Sequence, residues 1–584
     1  MSLLAGAFRR SADACLSNAL CESVARALSR NPDEQLDSFR DGRCFLVKAD
    51  VGAFGERAFH RDAAGVSIMA GEPLLRRPEA APRSRSADLA ELHMAFQLRD
   101  WEPLRRARGV FCAASYRTDD GSLLLTTDKL GIRPMFYWAN EHLVVFATAL
   151  RILEQVQGIE RMMDARAVTE LAAFGFPLAD RTPYAATTLL MPGEVIEFTS
   201  GEPQRQAYWR WDDVQPSGST TDDLAATAYN RFQDAVTIRA RSDRRTIAYL
   251  SGGLDSRAVV TSLRERGMAV HTFNFGMAGT QDQVFGADYA RQIGTKHTEV
   301  ATAPGQPEWS MLMAEAWRRS GYEETAGVER PQIVWSGDGG SVVLGHVYLE
   351  QRMVQLARAG QVSALVELLN QKWGAEVSSR LFRPEVYESL RGVTRHGLMQ
   401  GLSAIASSDP GRSLHLFLLY NDQRRHLSHH FETLDLHRLE FELPFFDSEF
   451  VTSVLSVPVD VCLRHTFYMR WLREFPAVIA SVPWQAYPGH EPCPLPVPDR
   501  LEYQWNRERA RSVATVHRRD LVARTARMLA ASEFPDDVIN RKFLRLASWL
   551  HRLEWRDFGY LIRTAEQYYR YWSASSGRVA WPKE

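Results

Sequence analysis

Short apolar or alternating runs recur through the first two hundred residues, separated by Gly, Asp and Asn: "CFLVKADVGAF", "GVFCAASYRT", "SLLLTTDKLG", "HLVVFAT" and "EVIEFTS". Runs of this length with turn residues between them predict strands. The flanking segments "ADLAELHMAF" and "ARAVTELAAF" carry helical spacing. The texture changes from about Thr246, where "TIAYL", "SRAVVTSLRERG", "AVHTFNFG", "QVFGADYARQIG" and "KHTEV" alternate strand with helix. A β-α-β-α-β series predicts a parallel sheet covered by helices. Beyond Gln351 the pattern is mostly helical, with aromatic and arginine residues interleaved. The polar stretch "WDDVQPSGSTTDD", Trp211 to Asp223, reads as a linker. It divides an α/β chain into domains 1–213 and 214–584.

Composition narrows the partners. The 584 residues are 45% hydrophobic and 24% charged, which suits a globular chain with more than one core. Lys+Arg 70 against Asp+Glu 71 leaves a formal charge of -1. Neither nucleic acid nor an anionic membrane is expected as a main partner. Six cysteines, Cys15, Cys21, Cys44, Cys112, Cys462 and Cys493, lie far apart without a C-x-x-C pair, so reduced thiols are expected rather than disulfides or zinc. No apolar run reaches the roughly 18 residues of a membrane span, and "MSLLAGAFRR" lacks the order of a secretory signal. A cytoplasmic location is the expectation.

The stretch "YLSGGLDSRAVV", Tyr249 to Val260, carries the clearest chemistry. A loop from the carboxyl end of a parallel strand into a helix aims backbone N–H groups at one spot, where the helix dipole favours an anion. Gly252 and Gly253 admit close backbone approach, and Ser251 and Ser256 add hydroxyl donors. Asp255 would repel bare phosphate, so its presence implies Mg²⁺ between carboxylate and phosphate oxygens. A lone G-G-x-D also fits an ordinary turn; the strand before it, the helix after it and the serines on both sides weigh against that.

"SGGLDS" resembles the pyrophosphate-binding PP-loop of the ATP pyrophosphatase superfamily, whose members release AMP and pyrophosphate. The surrounding sequence is similar to the asparagine synthetase family. "FNFG", Asp282 and "GTKHTEV" match its downstream elements. "GVFCAASY", "DKLGIRPMFYW", "FATAL" and "LLMPGEVIEF" match its upstream ones, in the family's order. The resemblance covers most of residues 1 to 490. It implies an N-terminal glutaminase-like αββα sandwich of the Ntn type, then an ATP pyrophosphatase domain with a parallel sheet and many helices. Leu250, Phe275, Ser336 and Gly337 match positions that contact the nucleotide, so ATP and Mg²⁺ are the implied cofactors.

The departures select a branch. Glutamine-using members begin Met-Cys-Gly-Ile, and the N-terminal thiol attacks the amide. Here "MSLLAG" puts Ser2 and Leu3 in those places, no cysteine precedes Cys15, and the family's glutamine-pocket asparagine is Ala70. An N-terminal serine is a nucleophile in other hydrolases of this fold, which keeps an amidase reading open; the main expectation is a glutaminase-type domain without its chemistry. Another amine must then attack the activated carboxylate. Two branches resemble this arrangement, β-lactam synthetases and lasso peptide cyclases. "VPWQAYPGHEPCPLP", Val482 to Pro496, is similar to a segment of lasso cyclases from Gram-negative bacteria, with Tyr487 near the place of a family lysine. Trp484, Tyr487 and His490 suggest a loop lining the site.

"LEFELPFFD" resembles V-E-A-R-V-P-F-L-D and puts Glu440 where the family's glutamate accepts a proton from the attacking amine; an ion pair with Arg438 is the alternative. "WSGDGGSVVLGH" resembles S-G-E-G-S-D-E-x-F-G-G, with Ser341 in place of a metal-binding aspartate and Asp338 three residues earlier as its substitute. The resemblance implies a macrolactam synthetase with a precursor peptide as substrate and a leader-binding protein and a protease as companions. In that reading Glu440, Asp338, His490 and Tyr487 are catalytic and Asp255 and Asp338 hold the metal. β-Lactam synthetase, asparagine synthetase and a non-catalytic scaffold that binds peptide or nucleotide remain as alternatives.

Overall fold

A computed structural model describes residues 2–11, 15–50, 52–75, 83–300, 328–374, 376–503 and 507–582, with side chains omitted for 507–516. Two six-stranded antiparallel sheets build the N-terminal domain. One orders Thr187–Leu189, Phe136–Ala139, Leu143–Ala147, Ser2–Arg9, Cys44–Asp50 and Leu36–Arg40. The other orders Gln204–Ala207, Glu194–Phe198, Ser122–Thr127, Phe111–Arg117, Gly65–Gly71 and Phe59–Arg61.

Alternation explains the stacking. In Ser2–Arg9, Leu4 and Phe8 face the second sheet, where Ile68, Ala114, Leu125 and Ile196 meet them. Leu3, Ala5 and Ala7 face outward onto the helices Asn18–Leu28 and Leu150–Gln155. The second sheet's outer residues, Met69, Ala113 and Leu124, cover Leu89, Leu92 and Phe96 of the helix Arg85–Leu98. A strand buried on both faces reads as a continuous apolar run. That is why "SLLAGAF" is a strand in the middle of its sheet. Its Gly6 is required by close packing, because a Cβ there would lie 2.5 Å from the Phe146 ring and the Phe45 carbonyl.

After the short helical turn Trp211–Asp213 the chain has no regular element until the helix Thr221–Ala240, which Thr220 caps by accepting from the Asp223 N–H. The second sheet type then appears: five parallel strands in the order Lys296–Glu299, Ala269–Asn274, Arg245–Tyr249, Ile333–Trp335, Glu440–Glu442. The last two are three residues each, too short to stand out in the pattern. From Arg245–Tyr249 the chain steps outward twice on one side and resumes on the other at Ile333. Such a reversal opens a crevice at the carboxyl ends of the two central strands.

Helices dominate beyond Gln351, as the pattern predicts. They also reach back: Met163, Ala165, Val168 and Tyr184 share a core with Leu381, Leu544 and Tyr568, and Met163–Asp164 pairs in parallel with Val579–Ala580. Among the described residues no helix is long and apolar enough to cross a membrane.

Candidate active site

The crevice at the reversal point holds a cavity of about 520 Å³. Leu250, Ser251, Gly253, Asp255 and Ser256 line it from one strand end, and Ser336, Gly337, Asp338 and Ser341 from the other. Phe275, Trp484 and Tyr487 complete the sequence-predicted residues on its wall. Gly252, His490 and Glu440 are not on it.

The loop differs from a bare phosphate cradle in where its donors go. The Ser251 N–H donates to Ser256 Oγ at 3.0 Å, the Gly252 N–H to Asp282 at 2.9 Å and the Gly253 N–H to Ser251 Oγ at 3.2 Å. The serines therefore shape the loop rather than extend from it. The helix Leu254–Glu265 starts with no side-chain cap, so its own first N–H groups remain for an anion. Gly252 fits because a Cβ there would come within 2.6 Å of Asp282 Cα.

Asp255 stands in the first turn of this helix and is held from two distant segments. Ser341 Oγ donates to it at 2.5 Å and Tyr468 Oη at 2.7 Å. Burial pushes its pKa up to about 6 against both hydrogen bonds, and the nearby Asp338 charge adds to the rise. Desolvation opposes the charge of half-buried Asp338, but His426, 3.6 Å away, and the Ser336 hydroxyl hold its carboxyl below the usual range. Two carboxylates facing one cavity and repelling each other form a donor set that a hard divalent cation relieves. These residues fit Mg²⁺, which Asp255 and Asp338 would hold through carboxylate oxygens. Glycines let the opposing loop close in: a Cβ on Gly340 would lie 2.4 Å from Asp255 Oδ1 and one on Gly337 2.7 Å from the Ser256 nitrogen.

The segment from Val482 forms another wall. Arg257, buried in the helix, donates to the carbonyls of Val482 at 2.7 Å and Pro483 at 2.5 Å, while the Gln485 N–H donates to the Gly252 carbonyl. Trp484, Gln485, Ala486 and Tyr487 thereby line the cavity. Burial, with Asp255 nearby, raises the Tyr487 phenol to about 12. His490 packs behind this wall, its ring 4.5 Å from that of His465.

Glu440 does not stand where a base for the incoming amine would. It is 1% exposed, lines a separate void of about 20 Å³, and pairs with Arg133 of the N-terminal domain at 2.5 Å. Burial opposes its charge, but Arg133 outweighs that and keeps the carboxyl low, the reverse of what a base needs. The alternative partner is excluded too, because Arg438 pairs with Glu34. Glu440 also accepts the Ser2 N–H at 3.2 Å. The Ser2 hydroxyl in turn receives Arg85 at 2.7 Å and Lys48 at 3.3 Å, and both cations bind Asp50.

Tyr468, His426, Tyr348, Asn274 and Tyr503 are also on the cavity wall, and none is marked as a site residue by the sequence pattern. Tyr468 lies 213 positions from its partner Asp255 and sits in no motif. Asp282 appeared only as part of a pattern; its place beneath Gly252 gives it a role in the loop.

The fold and site define an α/β protein with two stacked antiparallel sheets, a five-stranded parallel sheet and a glycine- and serine-rich loop at that sheet's switch point. Family comparison agrees: residues 82–209 match the glutamine amidotransferase domain and residues 227–319 match asparagine synthase. Over these segments the chain is similar to asparagine synthetases. Asparagine synthetase [glutamine-hydrolyzing] 3 of Bacillus subtilis is 27% identical over 26% of this chain and 25% of its own length. Asparagine synthetase [glutamine-hydrolyzing] 2 of Arabidopsis thaliana is 27% identical over 33% of this chain and 30% of its own. These matches thus span a quarter to a third of each relative. A solved glutamine phosphoribosylpyrophosphate amidotransferase from B. subtilis, complexed with ADP and GMP, aligns at 9% identity and a TM-score of 0.25, covering 57% of this chain and 81% of that one.

Proposed function

We propose that the protein is an ATP-dependent, AMP-forming amide ligase that closes a macrolactam in a precursor peptide of the lasso type. The observation that carries the reading is Asp255, fixed by Ser341 and Tyr468 at the uncapped start of a helix and facing Asp338 across one crevice.

In this reading a side-chain carboxylate of the peptide attacks the α-phosphorus of ATP. An oxygen–phosphorus bond forms, the bond to the bridging oxygen breaks, and pyrophosphate leaves. The first-turn N–H groups after Gly253 offset the leaving charge. Mg²⁺ bound at Asp255 and Asp338 would supply further charge neutralisation. The peptide's own N-terminal amine then attacks the acyl carbon; the carbon–nitrogen bond forms, the bond to the AMP oxygen breaks, and the amine's proton is released to solvent as AMP departs. The aromatic walls, Tyr348, Tyr468, Trp484, Tyr487 and Tyr503, keep water from the adenylate and hold amine and acyl carbon together.

An internal amine rather than ammonia is supported by the N-terminal domain. Ser2 is buried, and its hydroxyl is occupied by Arg85 and Lys48 where glutamine-using relatives need a free thiol. A leader-binding protein, a protease and a cytoplasmic setting belong to the same reading.

ATP–pyrophosphate exchange tests it. Exchange that depends on a ring-forming peptide, with AMP release and a product lighter by one water, is expected. Exchange with aspartate plus ammonium, or with a small amidino acid, and none with the peptide would instead assign asparagine or β-lactam synthesis. Absence of AMP with every donor would leave a binding scaffold.

A further inference from the structure

The outer layer of the N-terminal domain contains a polar row that neither the crevice nor the interface uses. In the second sheet His60 pairs directly with Ser67, and Ser67 with Ser115, so three strands place these side chains in line on one face. The rest of that face is apolar, built from Ala58, Met69, Phe111 and Ala113 against Leu89, Leu92 and Phe96 of the helix Arg85–Leu98. His93 of that helix, 0% exposed, drops its imidazole onto the row. Polar groups buried in an apolar layer cost free energy unless each is engaged.

Each ring nitrogen of His93 has a neighbour. Nδ1 lies 2.8 Å from Ser67 Oγ, which lies 2.8 Å from Ser115 Oγ; Nε2 lies 3.0 Å from Asp62 Oδ1. Asp62 is fixed by the hairpin turn, where it accepts the N–H groups of Ala64 at 2.9 Å and Gly65 at 3.1 Å. The His60 ring leans on the His93 ring, with centroids 4.7 Å apart. One ligand atom from each of His60, Asp62 and His93 thus falls within 4.8 Å of the others. Among the described residues no other trio of such side chains does so.

From this juxtaposition we infer that His60, Asp62 and His93 form a binding site for a late first-row divalent cation, of which Zn²⁺ is the representative. Two imidazoles and one carboxylate suit such an ion and not Mg²⁺, which prefers oxygen. The Ser67 hydroxyl on Nδ1 is the outer bond that orients a ligating histidine ring and leaves Nε2 to the metal. Asp62 is exposed and His60 half-buried, which gives the ion an entry path and water for its remaining positions. Once bound, it ties the hairpin Phe59–Gly71 to the helix Arg85–Leu98.

The test uses the full chain stripped with chelator and titrated with ZnCl₂ by calorimetry in saturating Mg²⁺, then with CoCl₂ followed by visible absorption. About one equivalent of Zn²⁺ is expected to bind, with visible d–d bands for Co²⁺. His60→Ala and Asp62→Asn, both at accessible positions, should each weaken binding by at least about tenfold while circular dichroism stays unchanged. Equal Zn²⁺ affinity in wild type and both variants, no uptake at all, or uptake lost only in Asp255→Asn would each overturn the site. Because the readout is metal binding, its failure is independent of any failure of ligase activity.

Discussion

Arg133 and Glu440 form an ion pair at 2.5 Å across the two domains, with side chains 3% and 1% exposed. The same glutamate accepts the Ser2 N–H, so the first strand of one domain and the last strand of the parallel sheet meet on one carboxylate. A buried pair contributes little when whole, but losing one partner strands the other charge.

Glu440→Gln is therefore expected to destabilise the protein by about 3–5 kcal/mol by leaving Arg133 buried without its counter-charge. Thermal unfolding checks this, and Arg133→Met in the same chain should restore part of the loss. Unchanged stability with abolished ring closure would return Glu440 to the role of base.

Gly340→Ala is expected to leave the fold intact and reduce pyrophosphate exchange by about a hundredfold, since a displacement near 1 Å at a reacting centre has that effect. The new methyl would lie 2.4 Å from Asp255 Oδ1 and must push the carboxylate aside. Exchange at the wild-type rate would show that Asp255 does not need its position.

Ser341→Ala and Tyr468→Phe each delete one hydroxyl from Asp255. Hydrogen bonds to a charged group contribute about 1.5–3 kcal/mol, so each change should slow exchange by about tenfold or more. Because both act on one carboxylate, the double variant is expected to be non-additive. Independent, additive effects in exchange kinetics would mean that the hydroxyls serve different groups.

Burial, reinforced by Arg85, lowers Lys48 from 10.5 to about 7 despite its contact with Asp50. Between those values the unfolded chain binds the proton that the folded chain rejects, so stability contributed by this residue is full above 10.5 and falls as pH drops toward 7. Lys48→Met removes that slope. Unfolding midpoints from pH ~7 to ~9 should rise with pH in wild type relative to the variant; parallel profiles would contradict the shift.

What could be read from the chain alone is what neighbours in sequence decide. Strand, glycine loop and helix around Ser251–Ser256 are fixed by local periodicity and turn chemistry, and the family order of motifs lies on the chain itself. The Asp338-bearing turn and the Trp484 wall were legible for the same reason, as short segments with their own character. Partners were not. Glu440 meets Arg133 from 307 positions away, and Tyr468 reaches Asp255 across 213, so no window of sequence contains both members. Burial decided the rest. A carboxylate's proton affinity depends on which charges and how much water surround it, and a motif specifies neither. The loop N–H groups illustrate the same division: the Ser251 hydroxyl that takes the Gly253 N–H lies two residues away, but only folding brought Asp282, 30 positions on, near enough to take that of Gly252.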